Sequence, residues 1–187
     1  MLKPIEEYAR HAEITAFKTK IGNIDQFLKT VSSKKPPDTE IQFFDADLVA
    51  TWQHLYFAAL NALTAFKNNE NKSRTIAMET MLYASAQRQI QKATTLMGIK
   101  PTTNQVAVLI IGKNAEETIS ALTTVSKLIG VKRDDAILEL SNEKMAFIQT
   151  AFGISDIELH TIVKKKDLQG ALVDLVIERM ALVATQK

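Results

Sequence analysis

The sequence predicts an α+β domain, a small and mostly antiparallel sheet packed with several helices, two of them long and central. Two long stretches repeat apolar residues at three- and four-residue steps, the period of an amphipathic helix. Several shorter runs are rich in β-branched residues, and one of them, Val106 to Ile111, is almost wholly apolar. Strands and helices do not alternate regularly, which argues against a doubly wound parallel sheet. The 187 residues suit one domain, residues 13–187, with residues 1–12 as an N-terminal arm.

Composition narrows the function classes. The chain has no cysteine, which removes thiol catalysis, disulfide scaffolds, zinc ribbons and iron–sulfur clusters, and leads us to expect a cytoplasmic protein. No apolar run approaches the roughly 20 residues of a membrane span, and the charged start Met1 to Glu7 carries no signal-peptide pattern. With 23 basic and 21 acidic residues the net charge is +2. A nucleic acid would therefore have to meet a local patch, because the overall field is weak.

Residues 1–12 read as a loose or weakly helical arm. Glu13 to Lys20 alternates as a strand. Asn23 can cap a short helix carrying Ile24, Phe27, Leu28 and Val31. Pro36-Pro37 marks a loop, and Ile41 to Phe44 a short strand. Trp52, Leu55, Tyr56, Ala59, Leu60, Leu63 and Phe66 form one apolar stripe on the first long helix. The second long helix is expected to start at a Ser73 cap and run to about Met97, ending at Gly98. Gln105 to Ile111 should be a central strand covered on both faces, turned by Gly112-Lys113-Asn114 into a helix that closes at Gly130. Ala136 to Leu140 reads as a strand, Ser141 as the cap of a helix ending at Gly153, and Ser155 with Glu158 as a capping box. Asp167 can cap the last helix, whose stripe is Leu168, Leu172, Leu175, Val176 and Val183.

Catalytic signatures are missing. His11, His54 and His160 have no metal-ligand spacing, so neither metal nor cofactor is expected, and His54 reads as a solvated side chain. Gly112-Lys113-Asn114 lacks the remaining residues of a phosphate-binding loop and reads as an ordinary strand-to-helix turn. On one continuous second helix Arg74, Arg88 and Lys92 would share a line, with Met78, Met81 and Ser85 between them and Leu82, Tyr83, Ala86, Ile90, Ala93 and Met97 on the core face. Lys67 and Lys72 would extend the positive charge. Such a stripe suits RNA phosphates and splayed bases, although a solvated edge would look the same. Glu79 falls on the core face, where a carboxylate must be hydrogen-bonded or paired, and a buried acid anchoring neighbouring backbone is the preferred reading. Lys164-Lys165-Lys166 is a secondary candidate for RNA phosphates.

The run Arg74-Thr75-Ile76-Ala77-Met78-Glu79-Thr80-Met81-Leu82-Tyr83-Ala84-Ser85-Ala86-Gln87-Arg88-Gln89-Ile90, with Ala93 and Gly98-Ile99, resembles the signature of the small kinase-binding subunit of the KEOPS complex, the TPRKB type and its archaeal counterparts. Phe43 to Ala50 with His54-Leu55, Phe152 to Ser155, and Leu175 to Val183 are similar to the same family. The likeness covers the chain from about Glu13. Ala86 departs from it, standing where many members carry Gly. The resemblance implies a non-catalytic accessory subunit. Such a subunit binds and stimulates the small atypical kinase-ATPase, meets other KEOPS subunits through it, and in archaeal members binds tRNA by its CCA tail for threonylcarbamoyladenosine modification. Arg74, Arg88, Gln89 and Lys92 would then contact RNA, helped by Lys67 and Lys72, with Met78 or Met81 under a base. Ile177, Met180 and Leu182, off the main stripe of the last helix, would face the kinase. No membrane partner and no DNA specificity are expected. Two readings from other classes compete: a small-molecule enzyme using Glu79 as a base near Lys113, and a self-associating structural module joined through the methionine stripe.

Overall fold

The computed structural model describes residues 1–162 and 167–185; Lys164-Lys165-Lys166 lies outside them. Backbone contacts divide the chain into two compact units, 1–46 with 98–137, and 47–97 with 138–187.

The first unit holds the sheet. Strands β1 (Leu2–Ile5), β2 (Arg10–Lys18), β3 (Glu40–Asp45) and β4 (Gln105–Gly112) lie in the order β1-β2-β4-β3, every pair antiparallel. The α+β class and the antiparallel sheet are as the sequence predicts. β4 is central, and Val106 through Ile111 are buried whichever face they point to. Glu13 stands opposite Ile110 and Phe43 opposite Val108, a register that puts Phe17, Phe43, Val106, Val108 and Ile110 on one face. Helices α1 (Ile24–Lys34) and α5 (Ala115–Ile129) supply Val31, Ala121 and Val125 to that core. Asn23 and Asn114 cap them, accepting from the amides of Gln26 and Glu117.

Two expectations fail in this unit. The N-terminal residues are no loose arm: Leu2–Ile5 pairs with β2, which itself starts at Arg10. Pro4 hides this strand from a sequence reading, and it is tolerated because β1 is an edge strand that needs no second row of donors. Residues Asp135–Leu138 form a 3₁₀ turn, not a strand. The Asp134 carboxylate accepts from the Ala136 amide, a local bond that favours a turn over a ladder.

The second unit is helical. It comprises α2 (Trp52–Lys67), α3 (Ile76–Ala84), α4 (Ile90–Met97), α6 (Asn142–Phe152), α7 (Asp156–Ile162) and α8 (Leu168–Thr185). Ser141, Ser155 and Asp167 accept from the amides of Lys144, Glu158 and Gly170, as their spacing suggests. Among the described residues no helix is long and apolar enough to cross a membrane.

The expected second long helix is in fact two. Its cap is Thr75, which accepts from Met78, and not Ser73. Its first half stops at Ala84, where Gln87 donates to the Leu82 carbonyl and Ala86 to Tyr83, the paired closure of a Schellman turn. Ala86 sits at φ 51° to make that turn. Left-handed backbone costs an L-residue about 1–2 kcal/mol, a cost that glycine would not bear here. The stop is invisible here because alanine also favours helix. Part of the cost returns as unfolded-chain entropy when glycine is introduced. Ala86→Gly is therefore expected to raise stability by about 0.5–1 kcal/mol, read as a higher urea midpoint at an unchanged m-value.

Candidate functional site

The break between α3 and α4 undoes the single basic stripe. Arg74 precedes α3, Arg88 and Gln89 lie in the turn, and Lys92 is on α4; all four are exposed. Met81 is 1% exposed, so it cannot offer a surface to a base, and Ser85 is buried with its hydroxyl on the Met81 and Leu82 carbonyls. Met78 stays half-buried, and Lys67 is exposed at the end of α2. Ile90, expected in the core, is 46% exposed because α4 starts anew with its own phase.

A different arrangement replaces the stripe. Glu79 is 2% exposed, and its Oε2 accepts from the amides of Lys72 at 3.0 Å and Ser73 at 2.7 Å. Ser73 in turn donates its hydroxyl to the Thr75 carbonyl, and Asn71 donates to the Ser73 carbonyl. The loop from 68 to 75 is therefore tied down at Asn71, Lys72, Ser73 and Thr75. Lys72, fixed at its backbone, reaches the Val183 carbonyl in the last turn of α8 at 3.4 Å. Its ammonium is held below the ordinary lysine value, by burial first and then by the Arg88 guanidinium, while Glu79 opposes both. Lys72 and Arg88 are thus brought within electrostatic reach by packing, not by helical phase. Tyr83 lies in the same environment, its phenol pushed up by burial and by the carboxylates of Glu79 and Glu70. Beside this cluster an open cleft of about 500 Å³ is lined by Gln87, Gln91, Lys92, Thr95, Leu96 and Ala151. Amide and ammonium groups beside aliphatic carbon can hold base edges, phosphates and base faces together.

His54 reverses its expectation. It is fully buried: its Nδ1 accepts from the Ala50 amide at 3.1 Å and its Nε2 donates to the Ala84 carbonyl at 2.8 Å. The ring of Phe152 meets it edge-on at 5.6 Å. Burial pushes the imidazole down to about 4, the Lys144 charge adds to that, and the bond to Ala84 opposes it. Lys144 is itself mostly buried and pushed down to about 8, with Asp47 opposing. Of the proposed kinase-facing residues, Met180 is wholly buried, since α8 packs against α2, α3, α6 and α7 and turns that position inward. Ile177 is half-buried and Leu182 is 42% exposed. In the sheet unit the Lys113 ammonium pairs with Asp38. Among the described residues no three His, Asp or Glu side chains group as metal ligands.

The family model for kinase binding protein CGI-121 matches residues 19–184 of this chain. The chain belongs to the CGI-121 family. It is also 30% identical over 148 residues to "Regulatory protein Cgi121" of Methanocaldococcus jannaschii, covering 79% of this chain and 86% of that relative. The CGI-121 match spans both units and every residue of the Lys72–Glu79–Arg88 cluster, so the cluster is part of the family body and not an appended segment. Sequence reasoning missed His54 as a structural residue. The available signal was Ala58, Ala62 and Ala65, which continue from His54 at helical steps as a second buried face of α2.

Proposed function

We propose that the protein is a non-catalytic accessory subunit of the KEOPS complex, which binds and stimulates its small atypical kinase-ATPase and helps recruit tRNA by the CCA tail. The observation that carries this reading is the kinase-binding family match over residues 19–184. The kinase docks on α8 at the exposed Leu182; Ile177 is half-buried and points away from it around the helix, and Met180 is withdrawn from the interface. An exposed leucine is the kind of group that partner surfaces desolvate. RNA meets the other surface: Lys72, Arg74 and Arg88 take phosphates, Gln89 takes a polar edge, and Lys92 guards the cleft, with Lys67 as long-range attraction.

The enzyme alternative asks Glu79 to act as a base. Its Oε2 is occupied by two backbone amides instead, an arrangement that holds a loop. Binding is tested by mixing the protein with the purified kinase and measuring ATP hydrolysis. The expected result is a stable complex and a higher ATPase rate, both weakened by Leu182→Glu. An ATPase rate unchanged by saturating protein, with no complex on gel filtration, rejects the reading.

A further inference from the structure

We infer that Glu79 is a positioning residue for RNA binding: through its two backbone hydrogen bonds, not through its charge, it sets the loop from which Lys72 and Arg74 reach phosphate. The inference rests on the RNA reading above and adds a residue that touches no RNA. Three observations lead to it. One carboxylate oxygen takes both amides, at 3.0 and 2.7 Å. Those amides belong to Lys72 itself and to Ser73, the residue between Lys72 and Arg74. Finally, the Arg88 guanidinium adds to burial in holding the Lys72 ammonium below its ordinary value. Like charges repel, and Glu79 fixes the backbone of one of them from the α3 side.

Hydrogen bonding and charge make opposite demands on substitution. Glutamine keeps the length and a carbonyl oxygen with two lone pairs, and it loses the charge. Aspartate keeps the charge and withdraws the oxygens by one methylene, so it cannot reach both amides. Intact tRNA is titrated against wild type, Glu79→Gln and Glu79→Asp over a range of salt. Glu79→Gln should bind within about threefold of wild type with the same salt dependence. Glu79→Asp should bind roughly tenfold more weakly, and its slope of log affinity against log salt should be shallower by about one, as phosphate contacts are lost. A loss of fold alone would not change that slope for the molecules that remain folded. The reverse ranking, with Asp retained and Gln impaired, overturns the proposal in favour of a charge role, and two variants that both bind as wild type overturn it outright. Amide hydrogen exchange on the wild-type protein needs no variant: the Lys72 and Ser73 amides should be protected, and fast exchange at both contradicts the inference. If wild-type protein itself binds no tRNA, the RNA reading fails before Glu79 is tested, which separates the two failures.

Discussion

Replacing His54 by alanine is expected to destabilise the protein by about 3–5 kcal/mol, the largest effect of any single substitution considered. The ring is fully buried and joins the entry of α2 to the end of α3 by accepting from Ala50 and donating to Ala84. Alanine leaves the Ala50 amide without its acceptor and opens a cavity beside Phe152. The burial of His54 predicts a pH dependence. In the folded protein the imidazole is pushed down to about 4, while an unfolded histidine titrates near 6.5. Between those values the unfolded chain binds the additional proton, so stability rises with pH across the window. The contribution is fully present above about 6.5 and is lost as pH falls toward 4, amounting to about 3 kcal/mol. Urea unfolding at a series of pH values measures it. The wild-type curve should steepen between pH 6.5 and 4, and the His54→Ala curve should lack that component. Equal curves would contradict the neutral, bridging histidine.

The second large effect is functional. Lys72→Ala combined with Arg88→Ala is expected to weaken tRNA binding by roughly 30- to 100-fold at physiological salt. Each charge-assisted phosphate contact is worth about 1.5 kcal/mol or more, close to tenfold. The two cations act on each other, so their effects should fall short of a simple product: removing either one relieves the repulsion on the other. The double variant should also show a shallower salt slope, while Lys34→Ala, on the exposed end of α1, should change neither quantity. Filter binding with labelled tRNA reads both effects. A double variant that binds within threefold of wild type would remove Lys72 and Arg88 from the site.

The sequence was most legible where local chemistry acts alone. Asn23, Ser141, Ser155 and Asp167 each accept the amide that their position suggests, because a cap needs only one side chain and its own next turn. The near-continuous apolar run of β4 signalled a strand buried on both faces. What stayed hidden depended on partners far along the chain or on a backbone conformation that the residue type concealed. Ala86 adopts a left-handed conformation that glycine would have announced, and missing it fused α3 with α4. That error propagated into the site: it aligned Arg74, Arg88 and Lys92 by phase and sent Met81 outward. Glu79 was correctly read as an anchored buried acid, since a carboxylate on a core face has few other options. Its partners, the amides of Lys72 and Ser73, could not be named from spacing. Met180 failed for a related reason, because α8 is packed on several sides and a single projected stripe understates its buried face.

The most direct test of the account is a titration of the purified protein with intact tRNA and with tRNA trimmed of its CCA tail, at low and at physiological salt. Purely electrostatic association fades steeply between those conditions. The account predicts that intact tRNA binds at physiological salt and that trimming abolishes binding, with phosphates on the Lys72–Arg88 surface and bases in the cleft beside Lys92. Equal binding of both RNAs, at low salt only, would contradict it and leave the basic residues as a solvated edge.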